Sequence, residues 1–288
     1  MLSIGLSRSL RALAQAVTID SAPASQAAQS HALPPRWLIA LSSVGLCALV
    51  VSIVRRAANP HKLSLRNTPG RNNSLTPLHI LGVLAVWAGL TWLTNQLIGG
   101  RGDPSSVIVT AIGQAVLLGG ALVAARLTFR HGLRRGLGLS MRHWLFDTGR
   151  GILGYLAVLP ICLLLLLAIP RTPDDTHTVL RMLPGLSVWW KVVTVLFVVV
   201  LTPITEEVFF RGLLQSMFRR YIHSPWVGIA ASSAIFVLLH HPQWKDMLPL
   251  FALAVAMGYN YERCGRLYPA ILIHAIFNAV NIAVVLIG

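Results

Sequence analysis

Two of the three glutamates in this 288-residue chain, Glu206 and Glu207, stand side by side in one of its most apolar stretches, Val-Leu-Thr-Pro-Ile-Thr-Glu-Glu-Val-Phe-Phe-Arg-Gly-Leu-Leu (200–214). A carboxylate in such a setting is costly unless something pairs with it or uses it. In a helix over 205–221, Glu207 and Arg211 are four apart with the acid N-terminal, so they share a face and can pair. Glu206 is turned by about 100° from Glu207 and looks elsewhere. A carboxylate held among apolar groups keeps a proton more readily, which suits a general base that must take and return one. The bland alternative is a solvated helix end.

Two later stretches add imidazoles and amides. Ala-Ile-Phe-Val-Leu-Leu-His-His-Pro (234–242) sets Phe236 and His240 one helical turn apart, with His241 before a helix-ending proline. Tyr-Pro-Ala-Ile-Leu-Ile-His-Ala-Ile-Phe-Asn-Ala-Val-Asn (268–281) sets His274, Asn278 and Asn281 on one stripe of an apolar helix. Polar residues so placed either tie helices together or line a site, and Asn281 reads as the former. A carboxylate beside an imidazole can activate water, and a His/Asn pair can donate hydrogen bonds to a developing oxyanion. Glu206, His240 and His274 could equally hold a divalent metal such as zinc. There is no His-Glu-x-x-His motif, and no serine or cysteine sits in a nucleophile arrangement.

The elements that must position these groups are membrane helices. Apolar residues make up 55% of the chain, charged residues 11%, and the mean hydropathy is +0.67. A soluble domain carries roughly 25% charged residues. Eight apolar segments follow one another at about 37–54, 76–97, 104–127, 149–169, 187–204, 226–240, 246–261 and 268–287. The expected fold is all-α, a polytopic transmembrane bundle of about eight spanning helices. The sixth and seventh segments are short for a span, so they are expected to be tilted or enclosed.

The net charge of +15 resides mainly in connections. The first carries Arg55, Arg56, Lys62, Arg66 and Arg71. The third carries Arg126, Arg130, Arg134, Arg135, Arg142 and Arg150 against Asp147. The second and fourth are balanced, so the first and third are assigned to the cytoplasm and the chain to the cytoplasmic membrane. The basic residues are not interleaved with aromatics on a soluble face, which argues against nucleic acid. Cys47, Cys162 and Cys264 read as small buried hydrophobes. Residues 1–36 form a polar, Ser/Ala-rich tail whose 3–17 stretch fits a surface amphipathic helix. Its arginines and single acid also fit a transit peptide better than a cleaved signal peptide.

The ordered triple Glu206-Glu207-x-x-x-Arg211, Phe236-x-x-x-His240 and His274-x-x-x-Asn278, on successive apolar helices, resembles the CPBP family. This family comprises the CAAX proteases and the bacteriocin-processing or immunity proteins called Abi. The resemblance covers about 187–285. It implies a protease core at 148–288, preceded by the tail (1–36) and by helices of unassigned role (37–147). It also implies Glu206 as the water-activating base, His240 as its partner, His274 and Asn278 as oxyanion donors, and Glu207 and Arg211 as supports.

The implied reaction is hydrolysis of a peptide bond in a membrane-attached or C-terminal, CAAX-like substrate, with the lipid bilayer as surroundings. The rival readings are a non-catalytic immunity or scaffold protein and a proton relay or transporter. The relay lacks the paired broken helices expected of it.

One geometric demand follows. With one span per apolar segment, Glu206 and His240 fall at opposite ends of consecutive helices and cannot meet. They meet only if one helix runs over about 187–221, long, tilted or broken, with Pro203 as its kink.

Overall fold

The computed structural model describes residues 34–58, 65, 68, 70–99, 103–169, 182–240 and 244–287. The expectations for the N-terminal tail, the fourth connection and His241 fall outside the described residues.

Among the described residues eight longer helical bodies follow in chain order. They are α1 (Arg36–Ala58), α2 (Pro77–Ile98), α3 (Asp103–Thr128), α4 (Trp144–Ala168), α5 (Val188–Ile222), α6 (Pro225–Leu238), α7 (Met247–Cys264) and α8 (Tyr268–Ile287). Among the described residues β-structure is limited to one isolated bridge, Asn73 to Phe129. Six bodies, α1 to α5 and α8, are long and apolar enough to cross a membrane. The chain is an integral, multi-pass membrane protein. The two short segments, α6 and α7, pack on each other, and α7 also lies against α4 and α8.

The helix required by the sequence is present: α5 runs unbroken through 35 residues, or about 50 Å at 1.5 Å per residue. Its hydrogen-bond register changes twice along the way. Phe197–Leu201 and Val208–Gln215 are π-helical, and the α-helical turn Thr202–Glu207 between them holds Pro203 and both glutamates. Proline removes a backbone donor from a helix interior, and a wider π-turn is one way to absorb that loss. Every residue of Val208–Gln215 is buried, where α5 packs against α3, α6 and α7 inside the bundle. Phe209, Phe210 and Leu213 of α5, Phe236 of α6, Leu253 and Met257 of α7, and Ile273 of α8 form its core. The outer faces of α1, α2 and α4 carry exposed large apolar residues such as Val54, Leu78 and Leu164, as a lipid-facing wall requires.

The approach of α4 to α8 is close because a glycine allows it. A Cβ on Gly154 would stand 2.7 Å from Ile273 Cδ1, so a larger residue would force the Ile273 side chain, one residue before His274, to shift.

The connections after α1 and α3 meet at one end of the bundle. Arg130 N–H donates to Asn72 O at 3.2 Å. Arg219 donates to Thr68 O at 3.0 Å and Arg220 to Leu75 O at 2.6 Å. The Arg71 guanidinium lies 3.7 Å from the centroid of the Tyr261 ring. This end is an arginine cap.

Candidate active site

Glu206 and Glu207 point to different surroundings, as their 100° offset requires. Glu207 is wholly buried. Its Oε2 lies 3.2 Å from Arg211 Nε, and its Oε1 accepts from His274 Nδ1 at 3.1 Å. Arg211, also wholly buried, donates from Nη2 to Ala254 O at 3.2 Å, and its guanidinium lies 5.1 Å from the Phe236 ring centroid. The ion pair, a backbone carbonyl and an aromatic face thus share the guanidinium charge, which α5 could not carry alone.

Glu206 has no such neutralising partner. Its Oε1 receives the amide of Gln114 at 3.5 Å, its Oε2 is buried without a hydrogen-bond partner, and His274 Nε2 stands 3.8 Å away. The His274 ring is therefore set between the two carboxylates. With Nδ1 donating to Glu207, its tautomer and orientation are held by a buried charge, and Nε2 faces Glu206. The 3.8 Å gap is too wide for a hydrogen bond and suits a bridging water or substrate oxygen.

His240 sits at the C-terminal end of α6. Its Nδ1 donates to Phe236 O at 2.7 Å, its ring lies tilted against Phe236 at 4.4 Å between centroids, and Phe236 meets His274 edge-on at 5.9 Å. Glu206, His240, His274 and Asn278 all line one cavity of about 450 Å³, together with Gln114, Tyr155, Thr202, Asp246 and Asn281. The imidazole within reach of Glu206 belongs to His274. His240 faces the same cavity with its Nε2 uncommitted to backbone.

Asn278 has a structural task that explains its place on the stripe. The Thr202 N–H reaches back five residues to Phe197 O. In that register the donor for Val198 O would be Pro203, which has no N–H. Asn278 Nδ2 supplies the bond instead, at 2.8 Å. Asn278→Leu should therefore orphan a partly buried carbonyl. It is expected to lower the unfolding free energy by about 1–3 kcal/mol in a detergent unfolding titration. A loss under about 0.5 kcal/mol would mean that water or a relaxed helix replaces the bond.

Gln114 was not singled out from sequence, although an amide inside an apolar span is a signal in itself. It lies on α3, and Leu38 of α1 also lines the cavity, so both helices from the N-terminal part of the chain help build its walls.

Glu206, His240 and His274 do not converge as a ligand set. Among the described residues no three His, Cys, Asp or Glu groups have the spacing that would hold a metal ion. Zinc ligands gather at about 2.0–2.3 Å around one point, and these three side chains are not so gathered. Each imidazole keeps its Nε2 open while its Nδ1 is held by a carboxylate or a carbonyl, an orientation that serves water activation and metal ligation alike.

Residues 188–280 match a protein family described as type II CAAX prenyl endopeptidase Rce1-like. An Escherichia coli protein described as "Uncharacterized 24.3 kDa protein" is 30% identical over 130 residues, 43% of this chain and 58% of that protein. The chain thus matches little more than half the length of that relative. No solved structure matches it.

Proposed function

We propose that this chain, whose residues 188–280 match the type II CAAX prenyl endopeptidase Rce1-like family, is an intramembrane endopeptidase in which Glu206 activates water. The observation that carries the reading is the state of Glu206. It is a partly buried carboxylate with one enclosed oxygen free of hydrogen-bond partners, facing a cavity, 3.8 Å from an imidazole that a second carboxylate holds in place.

In the proposed reaction, Glu206 Oε2 takes a proton from a water held between it and His274 Nε2, and the water oxygen bonds to the substrate carbonyl carbon. The carbonyl oxygen becomes an oxyanion. Glu206 then gives the proton to the amide nitrogen, the C–N bond breaks as the oxyanion collapses, and a carboxylic acid and an amine leave, the acid losing its remaining proton to solvent. The distances favour His274 as partner of the base and His240, from across the cavity, as an oxyanion donor. The family resemblance assigns those two imidazoles the other way round. Asn278 supports the site through Val198, and its second amide hydrogen is free for the oxyanion. Glu207 and Arg211 position His274. The substrate is a membrane-attached or C-terminal, CAAX-like peptide.

The cavity leads away from the arginine cap. It is lined by the start of α1 (Leu38), the second half of α4 (Leu163, Leu166), the start of α7 (Asp246, Pro249) and the second half of α8 (Phe277, Asn281). With the cap in the cytoplasm, the scissile bond is reached from the opposite leaflet.

The test is cleavage by the purified chain in liposomes. The substrates are a peptide library with prenylated and unprenylated C-terminal members, with and without a chelator, and products are read by mass spectrometry. The expected result is a discrete product that persists with chelator. Loss of product on chelation alone would restore the metal reading. Gradient-driven uptake with no product would instead favour the proton relay.

A further inference from the structure

Away from the cavity, at the arginine cap, the structure holds a second concavity of about 400 Å³. It is lined by Arg134, Arg135, Gly138, Ser140, Arg142, His143, Cys264, Gly265 and Arg266. Four arginines and no acid line it. Only Arg266 is matched, by a two-pronged ion pair to Asp147 at 2.5 and 2.6 Å. That pair holds the Arg266 guanidinium above its ordinary pKa and fixes it as a wall. Among the described residues Arg134, Arg135 and Arg142 have no acidic partner.

The basin is built rather than incidental. Its floor is the contact between a π-turn (Gly132–Leu137) with the strap that follows it and the α7–α8 turn. Tyr261 donates to Leu137 O at 3.0 Å, and Leu267 N–H donates to Gly138 O at 3.0 Å. Gly138 has φ 91°, and a Cβ there would stand 2.5 Å from Gly265 O, so only glycine permits this approach. The N-termini of α4 and α8 border the basin at His143 and Arg266, and the positive ends of the two helix dipoles add to its potential.

What lies beside the basin identifies its occupant. Leu139, Met141, Trp144, Leu145 and Phe146 are all exposed, Leu145 at 68% and Phe146 at 63%. An apolar, aromatic lip next to three uncompensated guanidinium groups suits an amphiphile with an anionic head and hydrocarbon tails, not a soluble anion.

The geometry points to a binding site for an acidic phospholipid: its phosphate held by Arg134, Arg135 and Arg142, its acyl chains against the Trp144–Phe146 lip. This site is separate from the proposed catalytic cavity and does not depend on the protease reading. Guanidinium groups bind phosphate oxygens in two-pronged fashion, which lysine cannot reproduce.

The test is native mass spectrometry of the full chain in detergent, titrated with phosphatidylglycerol, phosphatidylcholine or inorganic phosphate. The expected result for the wild type is retention of one phosphatidylglycerol in preference to phosphatidylcholine, with no effect of inorganic phosphate. In Arg134→Gln/Arg135→Gln/Arg142→Gln the preference should fall on the order of fivefold per arginine removed. A control variant, Arg55→Gln/Arg126→Gln/Arg130→Gln, should keep it. Equal loss in the control would mean diffuse attraction and overturn the site. Equal retention in the triple variant, or displacement of the lipid by millimolar phosphate, would overturn it as well. A thermal unfolding curve in phosphatidylcholine, unchanged between wild type and triple variant, separates lost binding from lost folding.

Discussion

Glu206→Gln is expected to abolish peptide cleavage, a fall in kcat/KM of about 10²–10⁴-fold, while leaving the folded protein in place. The substitution keeps the shape of the side chain and removes the proton acceptor. Gln114 can still meet the new amide, through its own Oε1, which is buried and without a partner. His274 keeps its bond to Glu207. No ion pair is broken apart from the loose 3.8 Å approach of His274, so the unfolding midpoint in detergent should stay close to that of the wild type. Single-turnover cleavage of the best library peptide measures the first quantity, and a thermal melt the second. A variant that cleaves at the wild-type rate would remove Glu206 from the chemistry. Loss of both activity and fold would move Glu206 from the reaction to the scaffold.

Arg211→Met should have the opposite signature, with a large loss of stability. The guanidinium is wholly buried and is the cation that compensates Glu207 at 3.2 Å. Removing it strands a carboxylate in the centre of α5, with only His274 to meet it. Breaking a buried pair from one side costs about 3–5 kcal/mol. Removing both charges in Glu207→Gln/Arg211→Met leaves no unpaired ion. The double variant should therefore be less destabilised than the sum of the single variants by about 1–3 kcal/mol. Unfolding titrations of the four proteins in mixed micelles give the cycle. A single-variant loss below about 1 kcal/mol would mean that water reaches Glu207 and that the burial of this pair is not maintained.

The two neighbouring glutamates thus divide the work, and their sequence already separates them. Glu207 has Arg211 four residues on, whereas Glu206 has no cation at helical spacing. The same local logic marked His240, His274 and Asn278, because a polar side chain in an apolar helix must be paired or used. The demand for a long fifth helix was legible too, since no shorter one lets residues of consecutive helices meet at one depth. Its manner of continuing was not legible. Pro203 announces a missing donor, but whether the chain kinks, breaks or widens depends on what stands beside it, and here Asn278, 80 residues away, takes the orphaned carbonyl.

What the sequence by itself determined is therefore local. Hydropathy set eight apolar segments, the arginines set a basic end, and residue spacing set which side chains share a helical face. These follow from chemistry within one turn of helix and from the cost of placing charge in hydrocarbon. The tertiary structure alone decided the relations between helices. It put His274 rather than His240 against Glu206, brought Gln114 in from α3, and folded two arginine-bearing turns around one basin. Those outcomes depend on depth and rotation of packed helices. Both are fixed by close contacts such as Gly154 against Ile273, and by π-turns that shift register by a residue. Such contacts join residues dozens of positions apart, and hydrophobic periodicity records only which face is buried, not which neighbour buries it.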